Sequence, residues 1–183
     1  MDPSYDASKP NVRHLFEKLK KEGHEIGLHP SYDCWNDSVL LENQKQFLEK
    51  NAGIEINKCR QHWLRFSWRD TWMAQSSAGI ETDSTLMFND RPGFRNSSAI
   101  QWHPWNTKSG SRHQIMAQTS VLMDSHLYDY QALSAKNREK EISSWVDECK
   151  KVHGRTSFLW HPHTLSSDYG WKEGFTDLLE KIS

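Results

Sequence analysis

The chain has 183 residues, enough for one domain with a sizeable core, and a net charge of −1. Hydrophobic residues make up 36% and mean hydropathy is −0.85, yet 9 Trp, 7 Phe and 5 Tyr are more aromatic side chains than a disordered chain carries. The near-neutral charge, with Lys18, Lys20 and Lys21 as a solvated helical face, argues against nucleic-acid binding, and no apolar run approaches the ~20 residues of a membrane span.

In chain order, Pro10 follows Ser8 and Lys9 at the expected start of a helix. Val12, Leu15, Phe16 and Leu19 recur at helical spacing, and Gly23 ends it. Residues 24–29 read as a short strand. Asn36 or Asp37 caps a second helix with Val39, Leu40, Leu41, Phe47 and Leu48 as its apolar side, ending near Gly53. Residues 58–62 form a second strand candidate. A helix over 68–78 closes at Gly79, and residues 80–88 read as a third strand. Residues 89–118 are irregular, with one short strand at 99–103. A strand over 119–124, a helix over 134–153, a strand over 155–160 and a helix over 172–182 complete the chain. Helix and strand patterns alternate across short turns, which predicts an α/β domain with a parallel sheet. Five or six strands are fewer than a closed barrel holds, and the first helix has no strand before it. The sheet is therefore either small and open or lacks one or two leading strands.

The three cysteines, Cys34, Cys59 and Cys149, are odd in number and widely spaced, which argues against a disulfide framework and a cysteine zinc site. The opening MDPSYDASKP is polar and holds no signal peptide, so the expected location is cytoplasmic.

Ligands in parallel α/β folds meet the carboxyl ends of strands. The first predicted strand ends at His29, followed four residues on by Asp33. The second carries Arg60 and His62, two apart and so expected on one face. The third carries Asp83, and the last runs into Trp160, His161, Pro162 and His163. His29 and Asp33 have a spacing that lets imidazole and carboxylate converge on one ion, and such donors suit zinc and its neighbours. The alternative is a hydrogen-bonded histidine with a solvent-facing carboxylate. His62 reads equally as a half-buried strand histidine. Arg60 is either a structural partner of Asp83 or a group that orients catalysis. The ~30-residue segment 89–118 holds Arg91, Arg95, Trp102, His103, Trp105 and His113, side chains suited to hydroxyl-rich or charged sugars, or to a lid that packs its own tryptophans.

These residues, in this order, resemble the motifs of the polysaccharide deacetylases, the NodB-like carbohydrate esterases. GHEIGLHPSYD resembles the strand that leads into His-Ser/Thr-x-x-His. Arg60-Gln61-His62-Trp63 is similar to the Arg-x-x-Pro segment. Asp83-Ser84-Thr85-Leu86 is similar to the Asp-Ser-Ser/Thr stretch, and Leu159-Trp160-His161 to the late Leu-x-His motif. The resemblance implies an incomplete, distorted (β/α) barrel forming a single catalytic domain over residues 1–183. It implies metal-dependent hydrolysis of N- or O-acetyl groups on a carbohydrate.

For the site, the resemblance implies His29, Asp33 and His62 as ligands of a divalent metal, zinc or else nickel or cobalt. It implies His161, Arg60 and Asp83 as catalytic groups, and Trp63, Arg95, Trp102 and Trp160 as substrate contacts. The family's first Asp pair has no counterpart in this chain. Its place would lie upstream of Met1, in a missing N-terminal segment, or be completed by an oligomer partner, and the second motif histidine is Asp33 here. The chain is then inactive by itself, or a non-catalytic carbohydrate-binding or scaffold protein that keeps the cleft. A different metal hydrolase acting on cyclic amides is a further alternative.

Overall fold

The computed structural model describes residues 6–183. The reading of the polar N-terminus therefore falls in part, over residues 1–5, outside the described residues. The chain divides into two compact units. One comprises the chain up to Thr85 together with Trp102–Ala117, the other Leu86–Gln101 with Gln118–Ser183.

In the first unit the helices begin and end where local chemistry places them. Helix α1 (Pro10–Lys21) has its proline in the first turn and three lysines in the last, where cations favour the negative end of the dipole. Helix α2 (Ser38–Ala52) is capped by Asp37, whose Oδ1 accepts from the backbone N–H of Val39 and Leu40 at 3.0 and 2.9 Å. Gly53 ends it in the left-handed region. Leu41 and Leu48 are buried, whereas Leu15, Val39 and Phe47 stand about half exposed or more, so the apolar stripes are narrower than periodicity predicts. Helix α3 (Thr71–Ser77) is shorter than expected.

The strands of this unit differ most from expectation. β1 (Lys58–Cys59) and β2 (Thr82–Asp83) pair in parallel, two residues each. Residues 24–29 contribute one parallel bridge, Leu28 to Cys59, held by Leu28 N–H to the Lys58 carbonyl (2.8 Å) and Arg60 N–H to the Leu28 carbonyl (3.0 Å). The expected strand over 58–62 stops because His62–Leu64 forms a 3₁₀ turn, so His62 does not share a strand face with Arg60. Within residues 89–118, Trp105–Asn106 (β3) and Ser111–Arg112 (β4) make an antiparallel hairpin. Met116–Ala117 (β5) completes the parallel sheet in the order β1-β2-β5.

The second unit is built on β6 (Thr119–Met123) and β7 (Thr156–Leu159), paired in parallel from Thr119 opposite Thr156 to Met123 opposite Leu159. All five residues of β6 are buried, as a strand covered on both faces must be. Helices α4 (Ala135–Lys151) and α5 (Lys172–Ile182) follow the predicted pattern. Val121, Leu122, Leu127, Ile142, Val146 and Leu178 form the core. A π-helical turn at His126–Tyr130 was not legible in the sequence. The fold is thus mixed α/β with parallel pairing in each unit, and the described strands form three separate sheets. Among the described residues no helix is long and apolar enough to cross a membrane.

Candidate functional site

In the second unit the register brings two side chains together. Met123 opposite Leu159 is the last pair of a parallel ladder, so both strands leave it at the same end. Asp124 follows one strand directly, and His161 follows the other by two residues. His161 Nδ1 lies 2.7 Å from Asp124 Oδ1, and its backbone N–H donates to Oδ2 at 2.9 Å. Pro162 opens a 3₁₀ turn that returns Thr164, whose hydroxyl lies 2.9 Å from Asp124 Oδ2 and 2.7 Å from the His161 carbonyl. The Ser125 N–H donates to Asp124 Oδ1 at 2.8 Å.

Asp124 is inaccessible to solvent, while 42% of the His161 side chain is exposed. Burial acts to raise the Asp124 carboxyl. The His161 ring and backbone, with Thr164, outweigh it and hold the acid below its ordinary range. A fixed carboxylate on Nδ1 orients the imidazole and commits Nε2 to any proton exchange with a bound group.

The first unit gathers a different set. The rings of His29 and His62 lie 5.1 Å apart, tilted by 48°. His29 is exposed, and His62 half-buried. After His62 the backbone enters the left-handed region twice, at Trp63 (φ 56°) and Leu64 (φ 51°). Bulky residues hold that conformation at a cost of about 1–3 kcal/mol each. The result is a Trp63 side chain left 66% exposed.

Asp33 Oδ1 accepts from Arg65 Nη1 at 2.9 Å, and the Arg65 guanidinium lies 4.3 and 4.9 Å from the ring centres of Tyr32 and Trp35. Arg60 is half-buried and its Nε donates to the Ser84 carbonyl at 3.2 Å. Burial pulls its guanidinium below the usual value, against the opposing charge of Asp83.

Asp83 is fully buried and accepts from Trp72 Nε1 (3.1 Å), Gln75 Nε2 (2.8 Å) and Thr85 Oγ1 (2.5 Å). Burial raises its acid, and these neutral donors offset the rise only in part.

A catalytic zinc takes three protein ligands. His29 and His62 lie close enough to serve as two imidazoles, but the Asp33 carboxylate already holds a guanidinium. Among the described residues no three His, Cys, Asp or Glu side chains are grouped to hold a metal ion.

Of the expected substrate contacts, Trp102 is half-buried and packs edge-on to Trp72 at 6.1 Å. Trp160 is half-buried against Tyr128 and Phe175, and Arg95 is half-buried in a turn of the second unit. Sequence reasoning missed Asp124 and Thr164. The signal available for Asp124 was an acid closing the apolar run Val121-Leu122-Met123.

No protein-family model and no curated protein matches the chain. Among solved structures it is similar to the crystal structure of a protein described as "putative polysaccharide deacetylase" from Mycobacterium smegmatis, with a TM-score of 0.63 at 19% identity. The match covers 94% of this chain and 61% of that one, so the chain spans less than two thirds of that protein's length. At this identity the likeness shows the fold: a mixed α/β arrangement of the kind found in that deacetylase-named structure.

Proposed function

We propose that the chain is a hydrolase that removes acyl groups from a carbohydrate, on an incomplete, distorted (β/α) barrel. The observation that carries this reading is the Asp124–His161 pair at the end of the parallel ladder of β6 and β7. Water adds to the acyl carbon and gives a proton to Nε2 of His161, and the protonated ring passes that proton to the leaving amine or alkoxide as the acyl carbon–heteroatom bond breaks, releasing the carboxylic acid and the deacylated sugar. Asp124 holds the ring in place and stabilises its protonated form. The fold likeness supports the substrate class.

His29 and His62 would supply two of the three ligands that a divalent metal, zinc, nickel or cobalt, needs. Asp33 fits that role only if it gives up Arg65. In this reading Arg60 and Asp83 support the segment that bears His62: Asp83 fixes Trp72, Gln75 and Thr85, and Thr85 in turn accepts from the Gln61 N–H at 2.9 Å beside His62. In the first unit the exposed Trp63 and Trp105 are side chains that could touch a sugar ring.

Acetate release from acetylated oligosaccharides by the purified chain tests the reading, with His161→Ala as the comparison. Turnover that survives His161→Ala at the wild-type rate would reject it. Sugar binding without any acetate release would favour the second reading, a carbohydrate-binding protein, for which the exposed Trp63 and Trp105 speak.

A further inference from the structure

Next to His161 lies an aromatic run that the proposed chemistry does not use. His163 is exposed, with its ring centre 5.6 Å from that of His161. Tyr169 stands nearly perpendicular to His163 at 5.1 Å and to Trp171 at 5.3 Å. Trp171 stacks on Tyr128 at 4.7 Å with the planes 9° apart, and the Arg138 guanidinium sits 4.3 Å from the Tyr128 ring centre. The run thus passes from a half-exposed imidazole to a ring fixed in the core of the unit.

The backbone builds this run deliberately. Gly170 (φ 72°) turns the chain in the left-handed region between Tyr169 and Trp171, and its N–H donates to the Ser166 carbonyl at 2.9 Å. The Trp171 N–H donates to the Thr164 carbonyl at 3.2 Å, and Thr164 is the residue that holds Asp124. One anchor therefore fixes both the Asp124–His161 pair and the loop that bears the rings. At Gly174 of α5 a side chain would meet the Tyr128 hydroxyl at 2.7 Å and Trp160 at 3.1 Å; without one, the Gly174 N–H donates to that hydroxyl at 3.2 Å.

Tyr169 remains 48% exposed despite these two ring contacts. Its plane is fixed, yet its packing leaves apolar surface in water. A pyranose presents a row of C–H groups on one face and hydroxyls at its edge, and a fixed, half-exposed ring covers the first without competing for the second.

We infer that Tyr169, with His163, forms a stacking subsite for an uncharged pyranose ring of an oligosaccharide, adjoining His161. This deepens the reading above and rests on it for the identity of the reacting sugar, but the binding itself does not require turnover.

Ligand-observed NMR titration of cellotetraose and tetra-N-acetylchitotetraose against the full chain tests it, with Tyr169→Ala, Tyr169→Phe and His163→Ala. One tetrasaccharide is expected to bind. Tyr169→Ala weakens it about three- to tenfold, His163→Ala weakens it in the same direction, and Tyr169→Phe restores it. The melting temperature of each variant stays near wild type, because both side chains are exposed. Unchanged affinity in Tyr169→Ala, or no binding of either sugar to the wild type, overturns the subsite. Binding that depends on Tyr169 without acetate release would remove the hydrolase reading and leave the subsite standing. Acetate release whose KM for an oligosaccharide is indifferent to Tyr169→Ala would do the reverse.

Discussion

The two units bury one aspartate each at the end of a parallel strand, and the two carboxyls respond in opposite directions. Asp83 is 1% exposed and Asp124 is 0% exposed, so accessibility does not separate them. Both accept from several donors. Those of Asp83 are an indole, an amide and a hydroxyl, all neutral, and burial wins: its acid is raised. Those of Asp124 include an imidazole that can carry charge and two backbone N–H groups, and the sum reverses the effect of burial. Asp83 is the more deeply enclosed of the two, and its neutral donors do not offset that burial, whereas the charge-capable imidazole on Asp124 outweighs a smaller burial effect. In the proposed function this makes Asp83 a structural anchor and Asp124 a positioning residue.

The sharpest break of that comparison is catalytic. His161→Ala is expected to lower acetate release about 10²- to 10⁴-fold, the usual contribution of a positioned acid, while leaving the fold intact by circular dichroism. Asp124→Asn should fall in the same direction and shift the pH profile of kcat. Equal activity in wild type and both variants would dissolve the distinction between the units.

Stability should show the opposite ranking. Asp83→Ala leaves three buried donors without their acceptor, and a loss of about 3 kcal/mol is expected by urea denaturation. A loss below ~1 kcal/mol would mean that Trp72, Gln75 and Thr85 find other partners.

The pH dependence of stability separates the two by sign. The folded-state acid of Asp124 lies below its unfolded value, so its contribution is present above ~pH 3.9 and is lost as pH falls through the folded value. The folded-state acid of Asp83 lies above its unfolded value, so its effect runs the other way: stability falls as pH rises from ~3.9 through the folded value. Asp124→Asn should flatten the acid limb of the melting-temperature profile, and Asp83→Asn should steepen it. Identical profiles would refute the assignment of opposite shifts.

The smallest expected effect concerns strain. Trp63→Gly accepts the left-handed backbone at φ 56° and gives up little burial, so it should raise stability by ~0.5–1 kcal/mol, read as a few degrees of melting temperature. The same variant should weaken sugar binding if Trp63 serves the first unit as a contact. A lowered melting temperature would show that the exposed indole packs more than its 66% exposure implies.

The sequence by itself determined the helices. Asp37, Gly53 and Pro10 act on backbone groups within a few residues of themselves, so α1 and α2 begin and end as their local chemistry predicts. It also placed His29 and His161 just beyond paired segments, because an apolar run and its polar end are both local features.

Only the tertiary structure decided how far each strand pairs, since a ladder needs a partner that sequence does not name: residues 80–88 yield two paired positions and residues 119–124 yield four. It also decided who holds each carboxylate. Asp33 meets Arg65 across 32 residues, and Asp124 meets His161 across 37. Charge pairing and register act through space, and those distances along the chain carry no periodic signal from which either pairing could have been read.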